Sequence, residues 1–162
     1  MPSERRFQLP GLRLAAQVWG EPGGRRVLAS HGWLDNAGTF DLLAPLLPGC
    51  EIVALDAAGH GFSDSRSADA GYNLWQDVGD LLDVLDALDW QQCTLLGHSR
   101  GAAISMLFAA AFPQRVDKLV LGISNTRSPG DNPATTSLYS RSVRPVFTAT
   151  GTLWSPFCIM TQ

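Results

Sequence analysis

Leu95-Leu96-Gly97-His98-Ser99-Arg100-Gly101 sets a serine in a G-x-S-x-G spacing between a strand-like run and a helix-like run. A serine hydroxyl is a poor nucleophile unless it is exposed, close to a base and near donors that stabilise an oxyanion. A sharp strand-to-helix turn supplies the exposure by forcing the serine into a strained conformation, and flanking glycines let neighbouring chain segments approach. The turn also sets the first N–H groups of the following helix beneath the site, where they favour negative charge. Two further segments stand where such a site needs them. His31-Gly32-Trp33 follows a short apolar run, so a backbone N–H there can point across the strand ends toward Ser99. Asp56-Ala57-Ala58-Gly59-His60-Gly61-Phe62-Ser63 follows the next apolar run and reads as a glycine-hinged loop on the same edge. The pentapeptide alone is a weak signal, and its context gives it force.

The elements that must position these residues follow from periodicity. Residues 12–19 alternate as an early antiparallel strand, with a turn at 21–24. Residues 26–30, 52–55, 94–96 and 116–123 are short apolar runs of the kind buried on both faces of a sheet. Thr39 is predicted to cap a helix running to Leu46, stopped by Pro48-Gly49. Asn73 opens the clearest helix, with Gln76 in the position of a capping-box partner. Leu74, Val78, Leu81, Leu82, Leu85 and Leu88 form its apolar stripe, and Asp77, Asp80, Asp83, Asp86 and Asp89 are assigned to its solvated side. Spaced along a helix with no oxygen-rich loop, these carboxylates read as a wet face and not a metal site. A small-residue helix over 101–112 follows the serine. Strands alternating with helices give the α/β class: a mostly parallel sheet flanked by helices, with ligands gathered at the carboxyl ends of its strands.

Composition bounds the partners. The chain has 162 residues, a net charge of −3 and 45% hydrophobic residues, which describes a soluble globular domain and excludes wholesale disorder. Mild acidity argues against nucleic acid, which demands clustered Lys and Arg. No apolar run is long enough to span a bilayer, and no secretory leader is visible. Cys50, Cys93 and Cys158 lack C-x-x-C spacing and read as free thiols, so the expected location is cytoplasmic. No metal-ligand spacing or dinucleotide fingerprint occurs, so no cofactor is expected. A compositional shift divides residues 1–124 from 125–162: the latter hold one acid (Asp131), three Arg, no His and sixteen Ser, Thr or Pro.

Taken together, His31-Gly32-Trp33-Leu34-Asp35-Asn36, then Asp-x-x-Gly-His-Gly-x-Ser, then Gly-His-Ser-Arg-Gly resemble the α/β-hydrolase fold superfamily in order and spacing, and most of all its serine hydrolase-like proteins. The resemblance covers about residues 10–124. It implies Ser99 as nucleophile and the backbone N–H groups of Trp33 and Arg100 as the oxyanion hole. His31, Gly32 and His98 become candidate substrate-contacting residues, and the substrate a small acyl molecule. Because the turn holds Ser and not Asp, the resemblance speaks against epoxide hydrolase and haloalkane dehalogenase chemistry. Trp33, Phe40 and Trp75 read either as the lining of an acyl pocket or as ordinary core.

The pattern then breaks. In this fold the acid and the histidine follow the serine, yet only Asp117 and Asp131 do so here, and all three histidines precede it. His98 is the serine's neighbour on a sharp turn and points away from it. His60 reads as a loop-fixing hydrogen-bonder. Asp117 reads as a surface residue, and Asn125 stands where some members of the fold carry the acid. Prolines interrupt residues 125–162 and no second strand–helix unit is legible there. The expectation is therefore a truncated or frameshifted copy of a longer hydrolase, with 125–162 as non-native or disordered sequence. It leaves the 116–123 strand as an uncovered, association-prone edge. The competing readings are a short protein completing its sheet by self-association, a non-catalytic binding module on the same scaffold, and a C–C-cleaving member of the fold.

Overall fold

A computed structural model describes residues 1–122 of the chain and the strand at 157–161. The chain starts with a hairpin, β1 (Ser3–Leu9) and β2 (Leu12–Trp19), turned at Gly11 with φ +71°. Sequence periodicity finds β2 but misses β1. In that edge strand only Phe7 and Leu9 are buried, while Glu4, Arg5 and Arg6 face solvent, as suits an edge that must resist pairing with other chains. Four parallel strands form the centre: β3 (Arg25–Ser30), β4 (Cys50–Leu55), β5 (Cys93–His98) and β6 (Val116–Gly122). With β7 (Phe157–Thr161) the seven-stranded sheet runs β1-β2-β4-β3-β5-β6-β7, antiparallel at both flanks and parallel between. The α/β class and the mostly parallel sheet are as the sequence implies.

Each face of the sheet carries its own core. On one, α1 (Leu74–Ala87) and α2 (Arg100–Ala111) pack Val84, Leu85, Ile104 and Phe108 onto Leu14, Leu28, Val53, Leu95 and Leu121. On the other, Ala37, Phe40 and Ala44 cover Val27, Ala29, Ile52, Ala54 and Leu96. Phe40, 2% exposed, is thus core and not pocket lining.

Three expectations are corrected. The helix capped by Thr39 does not form: residues 37–40 and 44–46 are two short 3₁₀ turns. The cap of the first is Asn36, whose Oδ1 accepts the Gly38 N–H at 2.8 Å, and Thr39 instead donates its hydroxyl to Asp35. With Gly38 near one end and Pro45 within the second turn, the segment is too interrupted for an α-helical run. Second, Asp77 and Asp80 are not on a solvated face, although the capping box at Asn73 and Gln76 forms as read. Asp77 is buried and ion-paired, and Asp80 is half-buried. Third, β6 is not an open edge. β7 pairs with it antiparallel, Gly122 opposite Phe157 and Lys118 opposite Thr161. An antiparallel strand needs no crossover helix, and Phe157-Cys158-Ile159-Met160-Thr161 has the aromatic and β-branched content of a strand. Asn125 and Asp131 lie outside the described residues.

Candidate active site

Ser99 closes β5 and opens α2 with φ 52° and ψ −111°, a conformation strained for any residue with a side chain. Neighbouring backbone holds it there: its N–H donates to Gly122 O at 2.8 Å, and its own carbonyl accepts from Ala102 at 3.0 Å. A serine at a helix N-cap ordinarily uses its hydroxyl to accept a helix N–H. Ser99 makes no such bond, and the residue is exposed. The hydroxyl is therefore not consumed by the helix, on a residue that is open to solvent.

Both glycines of the pentapeptide are required by close backbone approach. A Cβ on Gly101 would lie 2.1 Å from Ser30 O, and one on Gly97 would lie 2.5 Å from Gly101 O. Gly101 thereby lets the start of α2 sit on the end of β3, and this carries the chain following β3 to Ser99. A Cβ on Gly32 would stand 3.4 Å from Ser99 Cβ and 3.2 Å from His98 Nδ1. Gly32, His98 and Ser99 are thus brought together. His98 Nδ1 is buried with no hydrogen-bond partner among the described residues.

The segment after β3 is fixed by side chains that sequence reasoning assigned elsewhere. His31 is 2% exposed. Its Nδ1–H donates to Gly32 O at 2.8 Å, while Nε2 accepts the Ala57 N–H at 3.0 Å. Both ring nitrogens are thus committed within the protein, and His31 joins the two loops. Asp56, buried at the end of β4, accepts from Ala37 N–H at 2.7 Å and from Phe62 N–H at 2.8 Å. Ser63 Oγ donates to Asp56 O at 2.6 Å and accepts from Ala15 N–H at 2.8 Å, which ties the glycine-hinged loop to β2. The His60 ring lies 5.2 Å from that of His31 and 6.5 Å from that of Trp33. Among the described residues, no histidine nitrogen hydrogen-bonds to Ser99 Oγ, and no group of three or more His, Cys, Asp or Glu is arranged to hold a metal ion.

Burial pushes the His31 pKa below its ordinary 6.5, since protonation would strand a charge in the core and remove the acceptor for Ala57. The unfolded imidazole takes up a proton near pH 6.5 and the folded one only at lower pH. Stability is then complete above pH 6.5 and is lost as pH falls below it, by at most about 1.4 kcal/mol per pH unit. Thermal melts between pH 7 and 5 should show this slope, and His31→Gln should flatten it. Equal slopes in the two proteins would refute the assignment.

Sequence reasoning missed one part of the site. Arg100 donates to Asp77 Oδ2 at 2.5 Å, Arg66 to Asp80 Oδ2 at 2.5 Å, and Arg66 also stands 3.7 Å from Asp77 Oδ1. Burial raises the pKa of both carboxyls, and the guanidinium groups oppose that rise. A signal was present: Asp77 lies three residues after Leu74 and four before Leu81, inside the apolar stripe.

A mostly parallel sheet with an exposed, strained serine on its strand-to-helix turn defines the class. The family model for the alpha/beta hydrolase fold matches residues 25–141, and the chain belongs to that family. The human serine hydrolase-like protein is 43% identical over 120 residues, covering 74% of this chain and 59% of its own length. The zebrafish (Danio rerio) serine hydrolase-like protein is 42% identical over the same number of residues, which cover 37% of it. Among solved structures, a hypothetical protein from Pseudomonas aeruginosa PAO1 superposes with a TM-score of 0.73 at 45% identity, over 84% of this chain and 49% of that one. The chain thus spans about half the length of the relatives it matches. No helix among the described residues is long and apolar enough to cross a membrane.

Proposed function

We propose that this chain carries the nucleophile-bearing half of a serine hydrolase that cleaves an ester, thioester or related acyl substrate. Ser99 Oγ attacks the acyl carbon, and the Trp33 and Arg100 N–H groups hold the developing oxyanion. A histidine from outside this segment takes the serine proton and returns it to the leaving group. The observation that carries the reading is the exposed Ser99 at φ 52°, its hydroxyl left free of the helix cap it would ordinarily satisfy. Support also comes from the thioesterase domain of the curacin biosynthetic pathway, which superposes with a TM-score of 0.69 at 26% identity. Trp33, 62% exposed beside the serine loop, suits an apolar acyl chain.

A second reading, a binding module that kept the scaffold without catalysis, is favoured by one feature: none of the three histidines follows Ser99 or bonds to it. Covalent labelling by a fluorophosphonate probe, with imidazole added as external base, separates the two. Modification mapped to Ser99 supports the hydrolase. A chain that stays unlabelled at Ser99 while cooperatively folded overturns the hydrolase reading and leaves the binding module.

A further inference from the structure

The two N–H groups assigned to the oxyanion belong to separate stretches of chain, and one side chain links the two residues that carry them. Arg100 supplies one N–H from its backbone. Its guanidinium carbon lies 5.4 Å from the centroid of the Trp33 ring, the residue that supplies the other. That contact matters because the core does not anchor Trp33: the residue is 62% exposed, and the next one, Leu34, sits at φ 54°. The guanidinium is in turn held from below. Asp77, on α1, takes its Nη2 at 2.5 Å, and the two side chains are only 9% and 8% exposed. Nη1 is buried without a hydrogen-bond partner, so Asp77 is the one acidic anchor the group has among the described residues.

Energetics argue that this arrangement serves position more than stability. A buried ion pair recovers little beyond its own desolvation, and an apolar pair of similar volume often does as well or better. Two of the four aspartates on α1 nevertheless turn inward, and both meet arginines that bracket the site: Arg66 from the loop after β4 and Arg100 from the turn after β5. What a charge-assisted hydrogen bond from a planar guanidinium to a carboxylate supplies that an apolar contact does not is a fixed direction.

We propose that Asp77 and the Arg100 side chain are positioning residues that hold the Trp33 and Arg100 amides in register as one oxyanion hole. The inference rests on the hydrolase reading of Ser99. Neither side chain touches the reacting atoms, and each acts through the backbone it orients. Displacing an oxyanion donor weakens it only where charge develops, so the rate of the chemical step falls while binding of the neutral reagent does not.

The test is fluorophosphonate modification of the 162-residue chain in imidazole, analysed for the maximal inactivation rate, kinact, and the half-saturating reagent concentration, KI. Asp77→Asn and Arg100→Met are expected to lower kinact about 10-fold with KI unchanged. Arg100→Lys should recover part of the loss, because it keeps a cation opposite Asp77 without the planar guanidinium. The Asp77→Asn/Arg100→Met double variant should be no slower than either single one. Trp33→Leu, which leaves the ion pair intact, should lower kinact about 3-fold and decides the matter if Asp77→Asn does not fold. Cooperatively melting variants that label as fast as the parent overturn the positioning role and leave the hydrolase reading standing. A parent chain unlabelled at Ser99 overturns that reading, and the inference with it.

Discussion

Imidazole is expected to raise fluorophosphonate labelling and ester turnover of the parent chain about 100-fold and to leave Ser99→Ala at background. The contrast matters more than either value. Nucleophile and base act as a unit, so their removals are not additive: where no base reaches Ser99, deleting the hydroxyl costs little further rate. Without imidazole the parent and Ser99→Ala should therefore be nearly indistinguishable. With it, only the protein that has both an exposed hydroxyl and amides nearby can use the added base. Labelling stoichiometry by intact mass and p-nitrophenyl ester turnover across an imidazole series give the two readouts. Equal imidazole dependence of parent and Ser99→Ala would mean that solution chemistry, not the site, is being measured.

The second large effect concerns architecture. Gly101→Ala should lower stability by about 3 kcal/mol, a fall in Tm on the order of 10 °C, and should abolish labelling of Ser99 in the remaining folded protein. The added methyl would meet Ser30 O at 2.1 Å and Ser30 C at 2.6 Å, and both are backbone atoms that no rotamer change can move aside. Relief requires α2 to lift away from the end of β3, and that movement separates Ser99 from the Gly32-Trp33 segment. Gly79→Ala is the matched control. It lies on the exposed face of α1 with nothing within 4 Å of the new Cβ, so it should stabilise by roughly 0.5–1 kcal/mol through helix propensity alone. Thermal denaturation of the two variants against the parent checks both signs. A Gly101→Ala protein with parental Tm and labelling would show that the packing of α2 on β3 is looser than these distances state.

Local patterns made the strands and the serine turn legible. The apolar runs of the central strands, the capping box at Asn73 and the glycines around Ser99 each encode their structure within a few residues. The site's supporting cast was less legible, because its partners are distant in sequence. His31 read as a ligand-facing residue beside Gly32; its Ala57 partner is visible only once β3 and β4 lie side by side. Asp77 and Arg100, 23 positions apart, likewise meet only across the packing of α1 on α2. The helix expected over 39–46 failed for a related reason, since Asn36 and Asp35 capture the Gly38 N–H and the Thr39 hydroxyl, and local turn bonds outcompete a short helix.

By itself the sequence determined that the chain builds a mostly parallel α/β sheet and turns sharply at an exposed serine, because hydrophobic period and glycine placement act over a handful of neighbouring residues. Tertiary structure alone decided which carboxylates are buried, which histidine is locked, and that β7 covers β6. Those outcomes depend on desolvation and on hydrogen bonds between segments that only folding brings within reach of one another.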